Sequence, residues 1–328
     1  MNILIFGNGD EYKVDFPYYL ALGLCEENNV TLVSKEGTLR AKLKQPNNLE
    51  VVYGNKNNSE LESKDFDFCL GIGQSTAPYV AYIYEKKKIK CYCWFLSFPF
   101  SLLKGEGFSY DVAHKFQYFV DCTLNHGGFI FNNQIAAKTF QGVYGHSVNV
   151  LYEPCYDYFL ENQSKDFLFG AFSLKREKGI HVLYQCLENK NFPYVHLCYE
   201  HSDALICELQ QQWDKRDDIL IYCSVSEDRK MELLNQASVV LYPQQIEWAG
   251  SRIMAEAMSC KKPCVCFDSP LMRELFEDVP FYSRDTKEFC NNIDKGVGSG
   301  YEVKARQLFE NKFSIKAAIK KLMEIVNG

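Results

Sequence analysis

The chain has 328 residues, 47% hydrophobic and 24% charged, an ordinary balance for a globular protein and long for a single core, so two domains are expected. A net charge of −6 supplies no overall field for nucleic acid or anionic lipid, and no apolar run approaches the roughly 20 residues that span a bilayer. The fourteen cysteines form no CxxC pair and several lie in apolar runs such as KPCVCF; with no secretory signal at the N-terminus, a reducing cytoplasm without a zinc site or a disulfide framework is expected.

The opening run MNILIF stops at Gly7 and Gly9, the pattern of a first buried parallel strand and its tight turn. DFPYYLALGLCEE has helical spacing, and NVTLVS reads as a second strand. FDFCLGIG, IKCYCWFLSF and GGFIFNN are further short apolar runs, each followed by a helical segment. EKKKIK, residues 85–90, reads as the polar end of a helix entering a strand; the alternative is a patch for an acidic or membrane-bound partner. VNVLYEPCYDYF then carries the chain through Pro154, and the rhythm restarts. KDFLFGAF, YVHLCYE, DILIYCSV, SVVLYP and KPCVCF read as strands, with GIHVLYQCLEN, ALICELQQQWDK, EDRKMELLNQA and GSRIMAEAMSC as the helices between them. SIKAAIKKLMEIV is a last helix. This alternation predicts an α/β protein of two Rossmann-like, doubly wound domains facing across a cleft. The expected bounds are 1–153, 154–310, and a helix at 311–328 that packs back on the first domain.

Ligands of such sheets bind beyond the carboxyl ends of the strands, so the loops after strands hold the candidate residues. In QQIEWAGSRIMAEAM the strand ends before Gln244 and a helix starts near Gly250. The first-turn amides of Gly250, Ser251 and Arg252 carry the positive end of the helix dipole and suit a phosphate group. Ser251 adds a hydroxyl and Arg252 a fixed charge. Glu256, about one and a half turns in, lies within reach of a ribose hydroxyl, and Glu247, before the turn, could accept hydrogen bonds from a sugar beyond the diphosphate. Two carboxylates flanking an anion site suit a sugar nucleotide. GNGDEY lacks the third glycine of a dinucleotide fingerprint, which argues against NAD.

This block resembles the nucleotide-binding half of GT-B glycosyltransferases, and is most similar to the retaining family called GT4. That family places a glutamate, a glycine loop and a second glutamate before Ala-Met, two small residues, Gly-x-Pro and a hydrophobic residue. Here the series is Glu247, Gly250, Glu256, Ala257, Met258, Ser259, Cys260, Lys261, Pro263 and Val265. GAFSLKREKGIHVLYQCL resembles the segment whose arginine and lysine hold the diphosphate, and IYCSVSEDRKMELLNQASVVLYP the segment whose backbone, at Val225, cups the base. The resemblance covers roughly residues 150–295.

There are departures. The glutamates are nine residues apart where the family has eight, and Ala171 stands where the family has its arginine, leaving Lys175 or Arg176 for that role beside Lys178. The glycine before the proline is Lys261 or Lys262. The histidine often found in the first domain is not obvious, since FLSFPF stands there and His114 and His126 are the remaining candidates.

The resemblance implies a cytoplasmic hexosyltransferase that moves a sugar from a UDP or GDP sugar to a glycan with retention, using neither cofactor nor metal. Glu247, Lys178 and Arg252 would serve catalysis; Gly250, Ser251, Glu256, Lys175, Arg176 and Val225 would hold the donor. Expected partners are the donor and a glycan of polysaccharide biosynthesis, with no nucleic acid and at most peripheral membrane contact. A catalytically silent binding or assembly module, a nucleotide-sugar epimerase and a DNA-base glucosyltransferase are the other readings of the same fold. Oligomeric state leaves no readable pattern.

Overall fold

The computed structural model describes residues 1–7, 16–34, 46–53, 58–96, 110–125, 127–161, 165–172, 178–188, 192–198, 217–223, 225–245, 251–296 and 301–328. They divide into two compact units, Met1–Cys155 with Lys312–Gly328, and Tyr156–Asn311.

The first unit contains strands β1 (Asn2–Phe6), β2 (Asn29–Ser34), β3 (Leu49–Tyr53), β4 (Phe68–Ile72), β5 (Lys90–Phe95), β6 (Gly128–Phe131) and β7 (Val148–Val150). Between them come helices α1 (Phe16–Leu24), α2 (Asn58–Ser63), α3 (Ala77–Lys87), α4 (Tyr110–Leu124) and α5 (Gln134–Tyr144). The strands pair in parallel in the order β3-β2-β1-β4-β5-β6-β7. Central strands are covered on both faces, so their sequences are apolar throughout, and the two-residue period decides which face each side chain meets. Ile3 and Ile5 of β1 face the core under α1, whereas Leu4 and Phe6 join Val80 and Ile83 of α3 on the other face.

The second unit contains β8 (Leu168–Ala171), α6 (Ile180–Leu187), β9 (Tyr194–Cys198), β10 (Ile219–Cys223), α7 (Glu227–Gln236), β11 (Val239–Tyr242) and α8 (Arg252–Ser259). There follow β12 (Cys264–Phe267), α9 (Pro270–Phe276), β13 (Phe281–Ser283), α10 (Thr286–Gly296) and α11 (Glu302–Leu308). This sheet is also parallel, in the order β10-β9-β8-β11-β12-β13. Val182, Leu183 and Leu187 of α6 pack with Phe289 and Ile293 of α10 on one face. That packing joins Cys186 to Cys290 in a disulfide, a single bond among the described residues where no disulfide framework was expected: cysteines 104 residues apart in sequence are brought together by two helices lying side by side, which no CxxC spacing announces.

After a π-helical turn at Phe309–Phe313 the chain re-enters the first unit as α12 (Ile315–Asn327). Ser314 Oγ caps it, accepting from Ala317 N at 3.1 Å. Gly23 of α1 gives α12 room, since a Cβ there would stand 2.5 Å from Ile319 Cδ1 and 2.7 Å from Ile315 Cγ2. At the far end Lys90 Nζ donates to Val326 O at 2.8 Å and Tyr92 OH to Ile325 O at 3.2 Å, placing a cation at the negative end of the helix dipole. The EKKKIK run is thereby put to structural use. Lys86 and Lys88 lie over the rings of Tyr82 and Tyr84, and Lys87 Nζ donates to Glu62 O. Among the described residues no helix is long and apolar enough to cross a membrane.

Candidate functional site

In the second sheet β8 and β11 lie side by side, and the chain winds outward in one direction from β8 and in the other from β11. Their loops therefore part at the carboxyl ends, and the crevice left there is where doubly wound sheets take ligands. The loop from β8 leads to Lys178 at the start of α6; the loop from β11 runs from Pro243 to Ser251 at the start of α8.

The two loops are locked together at Gly179. It has φ +82°, and a Cβ on it would fall 2.0 Å from Pro243 O, so only glycine permits this approach. The approach brings Lys178 Nζ within 3.0 Å of Gln244 Oε1, and the same oxygen accepts from Tyr242 OH at 3.0 Å. Gln244 is 6% exposed.

Ser251 is the N-cap residue of α8 and is also 6% exposed. Its Oγ makes no capping bond and is a buried oxygen without a hydrogen-bond partner. A hydroxyl in this state, at the positive end of a helix, fits an anionic oxygen from a ligand. Arg252, half-buried, is the first residue of the helix.

Glu256 sits deeper, 2% exposed, with Oε1 2.9 Å from Lys230 Nζ. Lys230 reaches it from α7 and also lies 2.5 Å from Glu227 Oε1, which in turn accepts from Tyr158 OH. Burial pushes the Glu256 carboxyl up, and the Glu227 charge adds to this against the pull of Lys230 and Arg252. Burial acts on Glu227 in the same sense, but Lys230, the Tyr158 hydroxyl and Arg252 together hold it below its ordinary value. Of the carboxylate expected at a ribose, Oε1 is therefore in an ion pair with Lys230. Val225 is half-buried between the end of β10 and the Ser226 cap of α7, where Ser226 Oγ accepts from Arg229 N at 3.2 Å.

Glu247, Gly250, Lys175 and Arg176 lie outside the described residues, as do Gly9, His126, FPF at 98–100 and the helix expected at 204–215. His114 is exposed on α4. Gly7 donates its N–H to Val33 O, its φ is not positive and a Cβ would meet its neighbours at 3.5 Å or more, while the turn expected after it lies outside the described residues. Gly73, after β4, has a positive φ of +88°. Ala171, in the arginine position of the resemblance, closes β8 as a buried residue. Gln244, Lys230, Glu227 and Tyr158 were missed by the sequence reading. Only Gln244 carried a local sign, a polar residue directly after a fully apolar strand and its proline.

Residues 159–282 match the family Glycosyl transferases group 1. No curated protein matches the chain. Among solved structures, HepE from Anabaena in complex with UDP-glucose superposes with a TM-score of 0.77 at 16% identity, over 100% of this chain and 99% of that one. A glycosyltransferase from Rickettsia africae gives 0.77 at 13% identity, over 99% and 97%. Sucrose-phosphate synthase from Thermosynechococcus elongatus gives 0.74 at 9% identity, over 99% and 98%. At these identities the likeness is one of fold, and it extends across both sheets. Residues 159–282 are thus similar to a group 1 glycosyltransferase domain, and the chain as a whole has the two-sheet fold of these GT-B glycosyltransferase structures.

Proposed function

We propose that the chain transfers a hexosyl group from a nucleoside diphosphate sugar, of UDP or GDP type, to a glycan hydroxyl, with retention and without a resident metal. The observation that carries this reading is the presence of the Lys178 ammonium, bonded to Gln244, on one loop of the switch point and the buried, unpartnered Ser251 hydroxyl at the helix start that ends the other. An ammonium and a helix N-terminus at one crevice offer what a leaving diphosphate needs: positive charge fixed in place before the glycosyl–oxygen bond breaks. Arg252 adds a second cation, with Lys175 or Arg176 from the loop before Lys178. The amides at Gly250–Arg252 receive the diphosphate, Val225 supplies backbone to the base, and Glu247 orients the donor sugar. HepE, bound to UDP-glucose, supports a nucleotide sugar as donor.

Thermal unfolding against UDP, GDP, ADP, CMP and their sugars, with and without EDTA, tests the reading. A ligand at a hundred times its dissociation constant stabilises by about 2.7 kcal/mol, and a shift confined to one base and indifferent to EDTA is expected. A shift abolished by EDTA removes the metal-free reading, and no shift with any nucleotide removes the donor site.

A further inference from the structure

The second unit contains two well-placed lysines whose charges are treated in opposite ways. Lys230 is 6% exposed and paired with two carboxylates, Glu227 and Glu256, so its charge is cancelled where it stands. Lys178, at the switch point, has no carboxylate among the described residues; its hydrogen bond goes to the uncharged amide oxygen of Gln244. We infer that Gln244 is a positioning residue of the donor site, a buried neutral acceptor that aims the Lys178 ammonium at the diphosphate without neutralising it. This rests on the donor-site reading above and adds to it the residue on which the strength of the diphosphate contact depends.

The geometry leaves little freedom in how Gln244 does this. A phenol and an ammonium both donate to Oε1, so the carboxamide must present its oxygen to them. Tyr242, the last residue of β11, fixes that oxygen from the sheet side. Gly179, pressed against Pro243 O, fixes the backbone from which Lys178 extends. Tyr242 thus restrains the acceptor and Gly179 the backbone beside Lys178, and the Gln244 bond restrains the lysine stem between them. A glutamate would accept the same two bonds, but at this burial it would form an ion pair and leave the crevice with one positive charge fewer. A leucine would fill similar space and release the ammonium.

The test is calorimetric titration of UDP and GDP, each beside its nucleoside, into the wild-type protein, Gln244→Glu and Gln244→Leu, with melting temperatures taken in parallel. For the base that binds, Gln244→Glu is expected to weaken the diphosphate by about tenfold or more, the scale of one hydrogen bond to a charged group, while nucleoside affinity stays at the wild-type value. Gln244→Leu should show the same split to a smaller degree, and it decides the matter should Gln244→Glu fail to fold. A purely structural glutamine would move nucleoside and diphosphate together, and that result overturns the inference. So does diphosphate binding equal to wild type in both variants. A wild-type protein that binds neither diphosphate overturns the donor site and this inference with it.

Discussion

Ser251 buries a hydroxyl that no protein group meets, and an unmet buried polar group costs about 1–3 kcal/mol. The sign of a substitution follows. Ser251→Ala should leave the ligand-free protein as stable as wild type or slightly more so, while weakening the nucleoside diphosphate. Denaturant unfolding and titration check the two halves; a loss of more than about 1 kcal/mol would mean the hydroxyl already serves the fold. The buried carboxylates give a second expectation. Glu227 has its pKa lowered on folding, so its contribution is present above the unfolded value of about 4.3 and is lost as pH falls through the folded one. Glu256 has its pKa raised, so its effect runs the other way and blunts the loss. Glu256→Gln leaves the Glu227 dependence alone. As pH falls toward and through the unfolded carboxylate value of about 4.3, unfolding free energy should then fall more steeply than in wild type, and parallel curves would contradict it. Ser251, Arg252 and Lys178 could be found from sequence because helix starts after strands carry local chemistry. The partners Gln244 and Lys230 could not: the first is 66 residues from Lys178 and the second 26 from Glu256, and only tertiary packing brings them near.

Among the elements, α8 ends in a Schellman turn, with Lys262 N bonded to Ala257 O and Lys261 N to Met258 O. Lys261 takes the left-handed position, φ +60°, and so stands where the resembled family has its glycine. Its ammonium lies 4.0 Å from the centre of the Phe159 ring, a contact that offsets part of the strain. Lys261→Ala keeps the strain and loses the ring, whereas Lys261→Gly loses both. Glycine should therefore be the more stable of the two by about 1 kcal/mol in denaturant unfolding, and equal midpoints would refute the strain. Strand recognition failed in a patterned way. The strands the sequence did not announce are β3, β7 and β13, and each is the edge of its sheet. β3 has one buried residue of five and β7 has none, because an edge strand is covered less and its residues need not be apolar. Central strands such as β4, β11 and β12 are buried at every position and were legible for that reason.

In the molecule as a whole, the Cys186–Cys290 bond closes a loop of 104 residues inside the second unit, joining the helix that begins after Lys178 to α10. Loops of this length lose much entropy on cross-linking, so reduction should cost about 2–4 kcal/mol of unfolding free energy. Unfolding with and without dithiothreitol measures this. An unchanged curve with an unchanged thiol titre would show the two sulfurs to be free. The second unit is itself an insertion: the chain leaves the first unit after Cys155, returns at Lys312, and Cys155 N bonds Phe313 O where the two passages meet. α12, which covers Ile3, Leu24 and Phe68 with Leu322 and Val326, is thus the last piece made of the unit that was begun first. On a ribosome adding about 5–20 residues each second, the first sheet waits on the order of 10–30 s for its final helix. Over that interval its apolar face lies open on the nascent chain, while the inserted unit can finish ahead of it. A chaperone that shields emerging polypeptides would find its substrate there, and synthesis stalled after Asn311 would leave the older half of the protein the less folded one.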